Sequence, residues 1–413
     1  MNIDQLKIRT VIMLSLLLVI SLGGGCAPDR DFDNRLKSIA RPYHLNIVEL
    51  EINAIFREAV NAISGRYEKR DDEISKVTEY YYSAERIKSL KSEIGLIDSG
   101  SKQGDVASLK AELNKLQRQN LALESIVERT VERQIRDALS REGIFNPIDK
   151  YLRLKVGFPP VIFTLTAPPH LLVVSPRDRI ESMREVLLQK SISEDDMESI
   201  EARVDKLGVS SLVIELGGLA VFPRLVSNRG DIRFTIDTAA EEWVHQYLTF
   251  KPLGFRYLLD LSGISRNYEI ATMNETLTGM VSKEIGSIIY EEYYVQDEQS
   301  ETQPEAGRRR FDFNREMREI RKAVDNYLAQ GEVEQAEEFM EQKRQYLASN
   351  GYHIRKLNQA YFAFHGTYAD SPTSINPIGI ELKKLRSQSA SLKDFMETAA
   401  AMTSRQELKE SIK

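Results

Sequence analysis

The chain has 413 residues, 42% of them apolar and 29% charged, and 56 Lys and Arg against 62 Asp and Glu give a net charge of −6. This acidic balance gives no electrostatic reason to expect nucleic acid as a partner, because nucleic-acid-binding proteins concentrate positive charge. Only one stretch is apolar enough to meet a membrane, which excludes a multi-pass membrane protein, and the length is typical of roughly two or three folded units.

The first 26 residues have the layout of a secretory signal. Lys7 and Arg9 precede an apolar run over residues 11–22, and small residues then lead to Cys26, the only cysteine. The run is shorter than the about 20 apolar residues of a transmembrane helix. Its end resembles the bacterial lipobox, although Gly23 stands where such boxes carry Leu. We predict a lipoprotein acylated at Cys26, anchored to the bacterial cell membrane outside the cytoplasm. An uncleaved anchor and a secreted protein are the alternatives.

Residues 27–142 are predicted to form a helical region. Apolar residues recur at helical spacing over residues 44–91, and a polar linker over residues 95–105 leads to a second, longer stripe. The second stripe predicts an amphipathic helix that can pair in a coiled coil. A homodimer and a hairpin that folds back on residues 44–91 are both compatible with it. The stripe consists of Leu109, Leu113, Leu116, Leu123, Val127, Val131 and Ile135.

The pattern changes near residue 143, where prolines interrupt the helical spacing and short β-branched runs begin. Residues 180–190 and 194–207 return to helical spacing, and Ser193 is predicted to cap the second of these helices. The predicted fold class is therefore α+β and predominantly helical, with a small mixed sheet followed by helices. Strands are predicted over residues 161–166, 171–175, 211–215, 219–226 and 232–236.

An acidic, polar stretch without periodicity follows the α+β region. Two helices turned at Gly331 are then predicted over residues 311–349, and a last helical region runs to the end of the chain. The predicted organisation is a signal peptide (1–26), a helical region (27–142), an α+β core (143–295), a flexible linker (296–310) and a helical subdomain (311–413).

The segment after the last predicted strand carries candidate metal ligands. In the sequence Glu-Glu-Trp-Val-His over residues 241–245, Glu241 and His245 lie four residues apart. On a helix such residues share one face, about 6 Å apart, so both can contact one ion while Glu242 lies beside it. This is the spacing of the His-Glu-x-x-His zinc helix with Glu in place of the first His. By itself the motif is weak, because Glu is abundant on solvated helix faces.

A second predicted helix carries Asn274 and Glu275. This pair resembles the Asn-Glu that supplies the third, carboxylate ligand in gluzincins, the metallopeptidases of thermolysin and aminopeptidase N type. Thr276, Gly279 and Ser282 are small residues that would let the two helices approach closely.

Two further segments are similar to elements of such enzymes. The strand that precedes the motif is positioned like the edge strand that holds an extended peptide by backbone hydrogen bonds. Near the C-terminus, residues 357–368 resemble an Asn…Thr-Tyr element of bacterial predicted aminopeptidases, which implies Tyr368 or His365 as a hydrogen-bond donor to the oxyanion. The residues placed along the substrate are Gly217, Gly218, Leu219 and Ala220.

The resemblance implies Glu241, His245 and Glu275 as ligands of one divalent ion, and Glu242 as the general base that activates water against a peptide or protein substrate. Zinc is the expected ion. Because Glu241 replaces a neutral imidazole, the harder ligand set also favours manganese or iron. We predict an exported, membrane-anchored metallopeptidase. The alternatives are a noncatalytic gluzincin-fold lipoprotein that binds or scaffolds through its coiled coil, and metal-dependent chemistry other than peptide hydrolysis.

Overall fold

The computed structural model describes residues 30–45, 70–99, 101–147, 157–167, 169–221, 224–295 and 311–413. The predictions for the signal peptide and Cys26, for residues 46–69 of the first helical stripe and for the linker over residues 296–310 lie outside the described residues. Within the described ranges, no helix is both long and apolar enough to cross a bilayer.

The described chain is mostly helical with two small sheets, which confirms the predicted predominantly helical α+β class. The helices are α1 (Arg30–Ala40), α2 (Arg70–Asp98), α3 (Val106–Arg141), α4 (Glu194–Asp205), α5 (Ile232–Leu248), α6 (Pro252–Leu261), α7 (Tyr268–Tyr293), α8 (Phe313–Ala329), α9 (Val333–Ser349), α10 (Gln359–His365), α11 (Pro377–Gln388), α12 (Leu392–Ala400) and α13 (Arg405–Ser411).

Helices α2 and α3 pack against each other as an antiparallel hairpin. Arg86 of α2 pairs with Glu112 of α3 at 2.9 Å, and the Asn120 amide of α3 donates to the Tyr80 carbonyl of α2 at 3.2 Å. The C-terminal half of α3 is buried in the main core. The long amphipathic stripe is thus covered within the chain, as in the hairpin alternative. Helix α2 extends four residues into the predicted linker, because it ends at Asp98.

The strands of the described chain are β1 (Phe163–Thr166), β2 (His170–Pro176), β3 (Arg184–Leu188), β4 (Val209–Glu215), β5 (Gly218–Leu219) and β6 (Arg224–Ser227). They form two three-stranded sheets. One sheet is antiparallel with the order β3-β2-β4, and the other is mixed, with the order β1-β6-β5. In the mixed sheet, β1 runs parallel to β6, and β5 pairs antiparallel with β6 at the sheet edge.

The helix predicted over residues 180–190 is wrong, since this stretch contains strand β3 paired antiparallel with β2. Val186 and Leu188 pack into one hydrophobic cluster, whereas Leu187 packs into another on the opposite face. This alternation is the period of a strand. A short apolar run is compatible with both periods, and pairing with the buried strand β2 decides between them.

The strand predicted over residues 232–236 is also wrong, because these residues form the first turns of α5. The Asp231 carboxylate accepts a hydrogen bond from the Phe234 amide at 2.7 Å and caps the helix. Ile236 and Trp243 are buried in the same core at helical spacing. The cap and the continuous buried face of α5 outweigh the β-propensity of the short run.

The strand predicted over residues 219–226 is divided in the structure, because residues 218–219 form β5 and residues 224–227 form β6, and these two strands pair antiparallel.

Two other predictions of local structure are confirmed. Ser193 caps α4 by accepting a hydrogen bond from the Asp196 amide at 3.1 Å. Helices α8 and α9 turn at Gly331, whose φ of +77° is a conformation that favours glycine. Caps and glycine turns depend on neighbouring residues alone, which is why these two could be predicted from the sequence.

Helices α5 and α7 cross at the centre of the main core, and Gly286 of α7 allows their close approach. A Cβ atom at Gly286 would lie 1.7 Å from Asp237 Oδ1 of α5. At Gly279, by contrast, a Cβ atom would face Asp370 Oδ1 at 3.7 Å, outside α5. The small residue at the helix crossing is therefore Gly286, which the sequence analysis did not name.

We expect Gly286→Ala to lower the free energy of unfolding by about 1–3 kcal/mol, because the added methyl must displace Asp237 from its pair with Arg233. The control is Gly95→Ala in α2, where nothing lies within 4 Å of the added methyl. That change should stabilise the protein by about 0.5–1 kcal/mol, since alanine favours the helix. Urea denaturation measures both, and the same effect in the two variants would contradict the close approach at Gly286.

Candidate metal centre

The three predicted metal ligands lie together where α5 and α7 face each other. Glu241 and His245 are one turn apart on α5, and Glu275 projects from α7. One ligand atom from each residue can be chosen so that all three atoms lie within 4.8 Å of one another. His245 Nε2 lies 3.6 Å from Glu275 Oε2, and these two side chains are only 15% and 10% exposed. The buried group could hold a metal ion.

The electrostatics of the group fit a divalent cation. Glu241 Oε1 is buried and has no hydrogen-bond partner among the described residues, which is costly for a carboxylate oxygen. Burial raises the pKa of Glu241 to about 8. Burial lowers the pKa of His245, but the surrounding carboxylates outweigh burial and raise this pKa to about 9. Glu275 makes the largest contribution to the increase. A bound cation would give the Glu241 oxygen the partner it lacks and would replace the protons on Glu241 and His245.

Asn274 orients the His245 ring through a contact with its Nδ1 atom. The Asn274 side-chain amide lies 3.1 Å from His245 Nδ1, and Asn274 Oδ1 is buried without a partner among the described residues. Exchanging the similar oxygen and nitrogen of this amide lets Nδ1–H donate to Oδ1. Nε2 then keeps its lone pair on the side of Glu275, as a metal-ligating histidine requires.

Replacing Asn274 should therefore weaken metal binding without removing a ligand. We expect Asn274→Ala to lower metal affinity about 10–100-fold, the usual cost of losing the group that orients a ligating histidine. Asn274→Asp restores an acceptor for Nδ1–H and should recover most of the loss. Competition with a chromogenic chelator measures both affinities, and equal weakening by Ala and Asp would remove this role from Asn274.

Two tyrosines contact Glu275. The Tyr257 hydroxyl of α6 donates to Glu275 Oε1 at 2.5 Å, and its ring stacks on His245 with centroids 6.1 Å apart. The Tyr368 hydroxyl also hydrogen-bonds to Glu275. Tyr368 could be proposed from the sequence, but Tyr257 could not, because a tyrosine in an apolar helical stretch has the pattern of an ordinary core residue. The two hydroxyls fix the Glu275 carboxylate in place.

Thr276 holds the loop that carries Tyr368. The Thr276 hydroxyl donates to the Thr367 carbonyl at 3.0 Å and accepts from the Ala369 amide at 3.0 Å. These bonds flank Tyr368 on both sides and place it beside the residue that precedes Thr276. His365, the other proposed oxyanion donor, lies at the end of α10 and lines a separate cavity with Tyr268 and Arg321. The structure thus brings Tyr368, but not His365, to the three ligands.

The edge strand of the mixed sheet lies directly against Glu242. A Cβ atom at Gly218 would lie 2.4 Å from Glu242 Oε1 and 2.7 Å from Thr238 Cγ2, so a larger residue would displace these side chains. Of the four residues proposed to line a substrate, Gly218 and Leu219 form β5, while Gly217 and Ala220 flank it. The proposed substrate strand and the proposed base are therefore adjacent.

Burial raises the pKa of Glu242 to about 7, although His245 opposes the rise. Arg224 is fully buried and lowers the pKa of Glu242. This residue was not predicted from the sequence. Its guanidinium donates to the carbonyls of Pro160 and Ile162, each at 2.9 Å, and to Gln246 Oε1 of α5 at 2.5 Å. Arg224 thereby joins strand β6 to the helix that carries three of the site residues.

Compared with protein-family models, with curated proteins and with solved structures, the chain has no significant match. The resemblance to gluzincins therefore rests on the two motifs and on the site they form.

Proposed function

We propose that this protein is a metal-dependent peptidase of gluzincin type that acts on peptides or proteins. The observation that supports it best is the convergence of Glu241, His245 and Glu275 with Glu242 at their side. A glycine edge strand in contact with Glu242 adds a place for an extended peptide, which can pair with a strand edge through backbone hydrogen bonds.

A divalent ion held by Glu241, His245 and Glu275 would polarise a water molecule and lower its pKa toward neutrality. Glu242 would accept the proton of the attacking water on its carboxylate. A base with a pKa of about 7 suits this transfer, since it is largely available near neutral pH yet can return the proton to the leaving amine. The Tyr368 hydroxyl would exchange its hydrogen bond to Glu275 for one donated to the developing oxyanion.

The two carboxylates in the ligand set influence which metal ion the site prefers. Zinc is the proposed ion because a histidine and a carboxylate from two helices are common zinc ligands. Manganese and iron are the alternatives, since oxygen ligands suit harder ions. We also propose that acylation at Cys26 anchors the protein to the cell membrane, so that the protein binds its substrates outside the cytoplasm.

The first experiment is to measure metal bound to the purified protein by elemental mass spectrometry, beside His245→Ala. We expect close to one ion per chain in the parent and none in the variant. His353→Ala, at an exposed histidine outside the group, is the matched control and should keep its metal. A chain that takes up no zinc, manganese or iron would overturn the proposal and favour the noncatalytic, scaffolding alternative.

A peptide library then tests the reaction itself. Cleavage that requires the bound ion and stops when a chelator removes it would support the proposal. Stoichiometric metal without cleavage of any library member would favour metal-dependent chemistry of another kind, because the site would be intact but not used against peptide bonds.

A further inference from the structure

A cavity of about 340 Å³ lies between α7, α8, α10 and the loop that leads into α11. None of the three candidate metal ligands lines it. Tyr268 and Thr272 of α7, Arg321 of α8, and Tyr361 and His365 of α10 form much of its wall. Its volume falls within the range of about 300–1,000 Å³ that is usual for small-molecule sites.

Three side chains of this wall, Arg321, Tyr361 and the exposed His365, have hydrogen-bond donors with no acceptor among the described residues. Arg321 Nε donates to both Asp325 oxygens, at 3.0 and 3.1 Å, and Nη1 reaches the Phe362 carbonyl at 3.4 Å, but Nη2 has no acceptor among the described residues. Over the same part of the chain, neither the Tyr361 hydroxyl nor the His365 imidazole has a hydrogen-bond partner. The Tyr361 and His365 rings lie 4.3 Å apart, so these two groups are neighbours.

The acidic side chains of the cavity are already paired. Asp325 accepts from Arg321, and Glu269 accepts from Arg405 at 2.9 Å. Unused donors beside satisfied carboxylates favour a ligand that brings acceptors, and a charged acceptor makes the stronger hydrogen bonds with them. A guanidinium nitrogen, a phenol and an imidazole together suit a carboxylate. Apolar side chains complete the wall, namely Met317, Phe362 and Ile378.

We propose that this cavity is a binding site for a small organic acid with an apolar body. The carboxylate lies against Arg321, Tyr361 and His365, and the apolar body packs on the hydrophobic part of the wall. This site is independent of the proposed peptidase activity, because it uses none of the metal ligands. Its wall continues into the loop that carries Tyr368, since a Cβ atom at Gly366 would lie 2.7 Å from the Tyr268 hydroxyl and 3.3 Å from Arg321 Nη1.

Isothermal titration calorimetry of the purified protein tests the proposal with two probes of equal size. 3-Phenylpropionate carries the carboxylate, and 3-phenylpropan-1-ol replaces it with an uncharged hydroxyl. We expect the acid to bind about tenfold or more tightly than the alcohol, because hydrogen bonds to a charged acceptor are the stronger ones. Equal affinity for the two probes, or binding of neither at millimolar concentration, would overturn the proposal.

Two variants and a control locate the binding. Arg321→Gln should weaken 3-phenylpropionate binding about tenfold or more, and Tyr361→Phe, which removes only a hydroxyl, should weaken it by a smaller factor. Lys322→Gln removes a neighbouring positive charge that is exposed and paired with Glu319, and it should leave the affinity unchanged. Thermal melting confirms that each variant is folded. If Lys322→Gln weakens binding as much as Arg321→Gln does, the acid binds by general charge attraction and the assignment to the cavity fails.

Discussion

Glu242→Gln should abolish peptide cleavage while leaving the metal in place. Glutamine keeps the size of the side chain beside Gly218 but cannot accept the proton of the attacking water. We expect kcat to fall about 10²–10⁴-fold, the contribution of a positioned general base. Metal content should stay near that of the parent, because Glu242 is not among the three grouped ligands. Steady-state kinetics on a cleaved library peptide, with elemental analysis of the same preparation, measure both.

The matched control is Glu269→Gln, on the helix that carries Glu275 but at an exposed position. It removes one carboxylate charge from α7 and should leave kcat within about twofold, since exposed charges act weakly at a distance. A fully active Glu242→Gln variant would remove Glu242 from the mechanism. Loss of metal in that variant would instead place Glu242 among the ligands. Measuring both activity and metal content therefore distinguishes a general base from a metal ligand.

Metal affinity should fall steeply as the pH is lowered below about 8. The pKa of His245 is raised to about 9 and that of Glu241 to about 8, so below pH 8 both hold a proton in the metal-free protein. Binding must then release two protons, and the affinity should drop about 100-fold for each pH unit. Above pH 9 both groups are already deprotonated, and the affinity should become independent of pH. Chelator competition over pH 6–10 measures the slope.

Glu241→Gln tests the assignment of the two protons. Without the Glu241 carboxyl, one proton remains to be displaced, so the affinity should change by only about tenfold per pH unit. His353→Ala, at an exposed histidine, should keep the steeper slope of the parent. A slope that does not change in Glu241→Gln would mean that Glu241 does not hold a proton that the metal displaces.

The spacing within one helix could be predicted from the sequence. Glu241 and His245 were placed on one helix face because residues four apart are neighbours on any α-helix. The predicted role of Glu275 depended on a resemblance, since the motifs on α5 and α7 carry no information about how the helices cross. Their approach depends on Gly286 and Asp237, which no local pattern distinguishes from other helical residues.

The wrong predictions over residues 180–190 and 232–236 have a common cause. Each stretch is a short run of apolar and β-branched residues, for which helix and strand periods cannot be told apart. β3 is a strand because β2 is available for pairing, and residues 232–236 are helical because Asp231 caps a helix whose buried face continues beyond them. At β3 the pairing with another strand decided the backbone conformation, whereas over residues 232–236 the adjacent cap and the buried face of α5 decided it.

The sequence by itself determined the features that depend on neighbours along the chain: helix caps, the turn at Gly331, and the pairing of Glu241 with His245 on one face. Only the tertiary structure decided what surrounds them: that Tyr257 donates to Glu275, that Gly218 packs on Glu242 and that buried Arg224 joins β6 to α5. The physical reason is that spacing along one helix is fixed by backbone geometry, whereas contacts between distant segments follow from packing of the whole core.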